Sequence, residues 1–349
     1  MTLPNLATEK MIEFLCGLLN TPSPTGMADA GIAFTEQALA AVPGISMRRT
    51  RKGALVAVIP GQRSDAPRAL TAHCDTLGGM VKEIKPNGRL KLTQIGGFAW
   101  NTVENEGCTI FTASGKTVRG SLLVNTASAH VYRMAVTETK REDANMEVRL
   151  DARTTNAEET RALGIQVGDF VAFDPRVEVV NGFVRSRHLD DKACVACVVA
   201  AVQALADAGL KPVQTTYLHI SNYEEVGHGA SAGIPAEVTE LLTVDMAAVG
   251  DGQTSNEYQT SLCVKDSGGP YHHGLSNRLR QLADEHQIPY VVDVYPFYGS
   301  DGEAFWRAGG DVAVALIGPG VDASHGYERT HTDALEATAR WVMAYLLGE

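Results

Sequence analysis

At 349 residues the chain exceeds the ~250–300 residues beyond which a single core stops growing, so two domains are expected. Lys plus Arg number 30 against 41 Asp plus Glu, a formal net charge of −11 with no basic run, which excludes nucleic acid and anionic membranes as general partners. Six irregularly spaced cysteines make no disulfide framework, and no apolar run approaches the ~20 residues of a membrane span, so the chain reads as a cytoplasmic protein of a reducing compartment.

In chain order, Met11–Leu19 reads as an amphipathic helix and not a signal peptide, because Glu13 interrupts it and no basic segment precedes it. Ala54–Ile59 and Ala69–Ala72 read as strands separated by a polar turn containing Gly61 and Pro67. From Gly78 the texture changes to short strands at Met80–Ile84, Leu90–Ile95, Cys108–Thr112, Ser121–Val124 and Val148–Asp151. Asn87-Gly88, Gly96-Gly97, Ser114-Gly115 and Gly120 punctuate them, the pattern of a small barrel or sandwich.

After Gly168-Asp169 and a strand near Phe183–Arg185, longer elements return. Asp191–Ala208 reads as a helix, Thr215–Ser221 and Leu241–Val244 as strands, Gly274–His286 as a helix, Ala313–Ile317 as a strand and Thr332–Leu347 as a helix. The expected fold is therefore α/β, a mixed sheet flanked by helices, with residues 1–77 and 180–349 as the catalytic domain and residues 78–179 as an inserted all-β barrel. Cys194 and Cys197 form a CxxC inside the Ala/Val-rich helix, where small buried packing residues explain it better than redox or zinc chemistry.

The chemistry-bearing residues stand just past apolar β-like runs, where the carboxyl ends of strands gather ligands in open α/β sheets. His73 and Asp75 form a His-x-Asp after Ala69–Ala72. A metal-bound histidine needs a carboxylate or carbonyl on its other nitrogen, and Asp75 is placed to supply it. Asp190-Asp191 opens a helix, so one aspartate can bridge two divalent ions while the other caps or orients.

Glu224-Glu225 is the sharpest local signal. Two adjacent carboxylates after the apolar run Tyr217–Ile220 are costly unless a metal or a proton compensates. In extended backbone the two would point opposite ways, one binding metal and the other serving as general base. Asp245 ends the run Leu241–Val244, where a buried acid needs a partner. His325 follows the last strand, with His331 as its competitor. Two histidines with three carboxylates suit Zn²⁺, Mn²⁺ or Co²⁺.

These residues lie within longer motifs: Ser23-Pro24-Thr25-Gly26, Ala72-His73-Cys74-Asp75, Val167-Gly168-Asp169, Leu189-Asp190-Asp191-Lys192, Glu224-Glu225-Val226-Gly227, Val244-Asp245, Ser300-Asp301-Gly302 and Ser324-His325 with Glu328. Over nearly its whole length the chain resembles the tetrahedral aminopeptidase or glutamyl aminopeptidase family of co-catalytic metallopeptidases, which includes proteins once labelled cellulases. The resemblance implies a phosphorylase/hydrolase-like zinc exopeptidase architecture and two divalent metal ions, Zn, Co or Mn. One ion would be held by His73, Asp190 and Asp245, the other by Asp190, Glu225 and His325, with Asp190 bridging. Glu224 would be the catalytic base and Asp75 the partner of His73.

The resemblance further implies a cis peptide between the two aspartates, a small peptide substrate, and a homo-oligomer from a dimer up to a dodecamer. Two departures stand out. Cys74 occupies a position where the family more often has Met, and His325-Gly326-Tyr327-Glu328 is one residue shorter to the glutamate than the family's usual His-Ser-Pro-Val-Glu, which keeps His331 in contention. The expected activity is removal of N-terminal residues from small peptides. The alternatives are a deacylase acting on one small peptide-like metabolite, such as an osmoprotectant dipeptide, and a non-enzymatic binding protein on the same fold.

Overall fold

Apolar runs within Gln214–Ser221, Arg63–His73, Glu240–Val244 and Ala313–Val321 make four neighbouring strands at the centre of a mixed sheet, and all four run parallel. Both faces are covered, so Leu70, Leu218, Leu242, Ala315 and Ile317 are fully buried, as expected of parallel strands sandwiched by helices. The sheet continues antiparallel through Leu55–Ile59 and Ser46–Arg49 at one edge and through Thr260–Lys265 at the other, where Tyr290–Val294 pairs parallel to it. Because the four central strands share a direction, their carboxyl ends open on the same side of the sheet.

The computed structural model describes residues 2–349, which form two compact units. One holds the chain through Asp75 together with Arg176–Glu349; the other holds Thr76–Pro175. In the first, the helix Leu189–Asp207 is buried along nearly its whole length between Thr8–Leu19 and Thr332–Leu347. A helix with no solvated face needs small apolar residues all round, and this one is built from Ala, Val and Cys. Cys194 and Cys197 are fully buried in it, and among the described residues every cysteine is free.

Trp341 is the bulkiest of the buried side chains here. Its Nε1 donates to the Leu279 oxygen at 2.9 Å and its ring lies 5.0 Å from that of Tyr290. Trp341→Ala is expected to cost about 3–5 kcal/mol, read as a fall in the urea midpoint.

The second unit is a closed barrel of Gly78–Ile84, Leu90–Ile95, Met146–Leu150, Thr117–Val124, Gly107–Phe111 and Phe170–Phe173. Leu90, Ile110, Leu122, Val148 and Val171 fill its interior, and Phe98 packs edge-on to both Trp100 and Phe173. Gly120 permits close strand approach, because a Cβ there would lie 2.8 Å from the Arg149 oxygen.

The polar stretch expected as a turn before Ala69 is instead the start of a longer strand. Arg63 pairs with Gln214, the register then slips, and pairing resumes at Arg68 with Thr216. Pro67, which has no N–H to offer the ladder, falls in the bulge between them. The helix Asp29–Leu39, the strands Thr260–Lys265 and Tyr290–Val294 and the helix Asp301–Arg307 had no counterpart in the sequence reading. Asp29–Leu39 carries a glycine in its interior, and Asp301–Arg307 is only seven residues long, which blunts a 3.6-residue period. Among the described residues, no helix is long and apolar enough to cross a membrane.

Candidate metal centre

His73 is the last residue of its strand, paired with Ser221 of the neighbour. Its Nδ1 lies 2.9 Å from the main-chain oxygen of Asp75, and because a carbonyl can only accept, Nδ1 carries the proton there. The Asp75 carboxylate is 3.8 Å away from the same nitrogen. The ring is therefore held by the Asp75 carbonyl, while the Asp75 carboxylate turns elsewhere. It accepts from Thr25 Oγ1 at 2.7 Å, from the Glu224 N–H at 3.3 Å and from the Glu225 N–H at 3.4 Å.

That bonding shapes the glutamate pair. Tyr223 and Gly227 both adopt positive φ, and Glu224–Val226 forms a single 3₁₀ turn between them. The backbone is thus not extended as the sequence suggested, because the Asp75 carboxylate gathers two consecutive N–H groups on one side. The side chains separate nonetheless. Glu224 Oε2 lies 3.6 Å from His73 Nε2, and Glu225 Oε2 lies 3.6 Å from His325 Nε2.

Asp190 lies between the two histidines. Its Oδ1 is 3.2 Å from His73 Nε2 and its Oδ2 is 3.4 Å from His325 Nε2. The peptide joining it to Asp191 is cis, and both aspartates depart from helical φ/ψ. Asp191 accepts from the His73 N–H at 3.1 Å, so it fixes the backbone of a candidate ligand and makes no helix cap. Asp245 follows its strand directly, and its N–H donates to the Ile317 oxygen at 3.0 Å. A side chain at position 318 could not coexist with this approach, since a Cβ on Gly318 would lie 1.8 Å from the Asp245 oxygen. One ligand atom each from His73, Asp190 and Asp245 lie within 4.8 Å of one another.

His325 stands at φ +61° in the turn after Ala313–Val321, and Glu328 secures it. One Glu328 oxygen accepts the His325 N–H at 2.9 Å and the other accepts the Asp190 N–H at 3.0 Å, tying two candidate ligands to one buried carboxylate. His331 is occupied elsewhere. Its Nδ1 accepts from the Asp333 N–H at 3.2 Å as the cap of Thr332–Leu347, and its ring packs 4.8 Å from Phe183 and 5.4 Å from Tyr258. Replacing Glu328 by Gln leaves one of the two amides facing an NH₂ group. Metal affinity is expected to fall about 10–100-fold in a competition titration with a chelating dye.

The electrostatics of the cluster are dominated by buried acids. Burial pushes the Glu224 and Glu225 carboxyls well above their usual range, and their acidic neighbours, Asp245 for Glu224 and Asp190 for Glu225, add to the rise. Burial and Asp190 raise Asp245 to about 7, and the same causes raise Glu328 to about 8. Only Asp190 goes down. Burial opposes it, but hydrogen bonds from His325 and His73 hold it below the ordinary carboxylate range. So much buried negative charge against two imidazoles calls for protons or cations. The donors are nitrogen and oxygen, the set that suits Zn²⁺, Mn²⁺ or Co²⁺.

The cluster forms one wall of a cleft of about 390 Å³ that also includes Tyr298, Ser300, Arg307 and the almost fully exposed Phe297. Tyr298 donates to the Met246 oxygen at 2.8 Å, bracing the segment after Asp245. Asp301, buried behind, accepts from Thr71, Ser221 and the Ala230 N–H. The sequence reading assigned no role to Thr25, Glu328, Tyr298 or Arg307. The first two stood inside quoted motifs; the last two flank Ser300-Asp301-Gly302 without an apolar run to mark them.

The family model described as M42 glutamyl aminopeptidase matches residues 53–341. The putative aminopeptidase YhfE of Bacillus subtilis is 47% identical over 97% of this chain and 98% of its own. The glutamyl aminopeptidase of Lactococcus lactis is 28% identical over 73% and 72% of the two chains. A TET aminopeptidase from a marine sediment archaeon of the Thaumarchaeota superposes with a TM-score of 0.87 at 18% identity, covering 97% of this chain and 96% of that one. The TET1 peptidase of Pyrococcus horikoshii, which can assemble into a tetrahedron or a large octahedral shell, superposes with a TM-score of 0.83 at 19% identity, covering 97% and 100%.

Proposed function

Since the chain belongs to the M42 glutamyl aminopeptidase family and is an aminopeptidase, we propose that it removes N-terminal residues from small peptides with two divalent ions and a glutamate base. His73, Asp190 and Asp245 would hold one ion, and Asp190, Glu225 and His325 the other. The observation that carries this reading is Asp190, whose two oxygens each face a different histidine. Such ions lower the pKa of water and polarise a carbonyl, the chemistry that peptide hydrolysis at neutral pH requires.

The chain's own residues then have defined tasks. Glu224, on the cleft wall and held by its N–H to Asp75, accepts a proton from the attacking water at a carboxylate oxygen. As the C–N bond breaks, it passes that proton to the departing amine nitrogen, giving a free amino acid and a peptide one residue shorter. Asp75 positions Glu224 and Glu225 through their main-chain N–H groups, and Thr25 in turn fixes Asp75. The carboxylates that would hold the second ion also draw the peptide's free α-amino group to that end of the cleft, which restricts cleavage to the first residue.

A homo-oligomer, from a dimer up to a dodecamer, accompanies this reading; the assemblies of the TET1 relative support it, and sedimentation measures it. The activity is tested by release of free amino acids from a panel of dipeptides and N-acylated peptides after loading with Zn²⁺, Mn²⁺ or Co²⁺. Cleavage of dipeptides with free amino termini is expected. Cleavage confined to N-acylated peptides would replace the aminopeptidase reading with a deacylase, and no cleavage with full metal occupancy would end both.

A further inference from the structure

One side chain of the cleft has no part in the chemistry just described. Arg307 ends the helix Asp301–Arg307 and lines the same cleft as Asp190, Glu224, Glu225 and Asp245, all of them acids; it is the one Lys or Arg among the described residues of that lining. Its side chain is 65% exposed. A guanidinium has five N–H donors, and here Nη2 is engaged, donating to Glu303 Oε2 at 2.5 Å. No other partner to this guanidinium is found among the described residues.

The pairing anchors the arginine at its root. Glu303 is buried one helical turn back, and its carboxyl occupies space that a side chain on Gly268 would take, since a Cβ there would lie 1.7 Å from Glu303 Oε1. Beside it lies Asp266, fully buried, which accepts from the Tyr271 hydroxyl at 2.5 Å and from the Gly268 N–H at 2.9 Å. Tyr271 also bonds Ser300, another member of the cleft lining.

An arginine tethered this way keeps its remaining donors for a ligand. Their planar fork matches a carboxylate bidentately. Four cleft carboxylates balance two divalent cations in formal charge, which leaves Arg307 as the side chain able to select for negative charge. A cleft of about 390 Å³ is of the size that holds a dipeptide, so either end of such a ligand falls within it.

We infer that Arg307 is a specificity-determining residue that binds a carboxylate of the peptide, supplied by the first residue's side chain or by the C-terminus of a dipeptide. The inference rests on the aminopeptidase reading above. Its test uses steady-state kinetics of the metal-loaded protein on Leu-Ala, Leu-Ala amide and Glu-Ala amide, in the natural protein, Arg307→Gln and Arg307→Lys. The readout is the ratio of kcat/KM for each carboxylate-bearing peptide to that for the neutral amide.

At least one ratio is expected to reach about 10–100 in the natural protein, the effect of a charge-assisted bond, and to fall towards one in Arg307→Gln. Arg307→Lys, which keeps the charge and loses the fork, is expected between them. A ratio that collapses for Leu-Ala assigns the terminal carboxylate; one that collapses for Glu-Ala amide assigns the side chain. Ratios near one in the natural protein, or unchanged in Arg307→Gln, overturn the inference while leaving the aminopeptidase reading intact. No cleavage of any of the three by the natural protein overturns both.

Discussion

Glu224→Gln is expected to lower kcat on a cleaved dipeptide by about 10²–10⁴-fold while metal content stays the same, the range that a positioned general base contributes. The amide is nearly isosteric, so the 3₁₀ turn and the main-chain bond from position 224 to Asp75 survive. What disappears is the capacity to take a proton from water and return it to the amine. Glu225→Gln should behave differently. Glu225 faces His325 and Asp190, so weakening it should reduce metal content, and activity should recover in excess metal. Elemental analysis beside kinetics separates the two; metal loss in Glu224→Gln would reverse the roles given to the pair.

Chelation is expected to abolish hydrolysis and to lower the thermal midpoint, with a larger fall at pH 8 than at pH 5.5. The sign follows from the acids. Burial and Asp190 raise Asp245 to about 7, and Glu225 is raised by the same causes. A carboxyl raised in the fold favours the folded state while protonated, and that benefit is lost as pH climbs from the ordinary carboxylate range through about 7. Cations remove the resulting repulsion, and at low pH protons compete with them for the same oxygens. Asp190 runs the other way, but its depressed pKa places its loss below the ordinary carboxylate range, outside this comparison.

An ion present at a hundredfold excess over its Kd stabilises by about 2.7 kcal/mol, enough to move the midpoint by several degrees. Scanning calorimetry with and without chelator at both pH values measures the difference. An equal fall at the two pH values, or a larger one in acid, would contradict the account.

Which residues stand at strand ends could be read from the chain because apolar runs mark the strands and parallel strands place their carboxyl ends together. His73 and Asp245 follow directly from that rule. The glutamates stand out by charge, since adjacent acids beside an apolar run need compensation, and Asp190 by its place at the start of a helix. Local sequence does not encode how these side chains are held. The choice of the Asp75 carbonyl over its carboxylate for His73, and the turn at Glu224–Val226, depend on Thr25 reaching Asp75 from fifty residues away.

The choice between His325 and His331 had the same cause. It turns on Glu328 accepting the distant Asp190 amide together with that of nearby His325, and on the Asp333 N–H claiming His331. Arg307 was invisible for a further reason. It belongs to a seven-residue helix, and its significance lies in the company of acids brought from three other parts of the chain.

The most direct test of the two-ion site is anomalous diffraction from crystals loaded with Zn²⁺, Mn²⁺ or Co²⁺. Two peaks are predicted, one contacted by His73, Asp190 and Asp245 and the other by Asp190, Glu225 and His325, with Asp190 common to both. A single fully occupied peak at saturating metal, or two peaks that do not share Asp190, would contradict it.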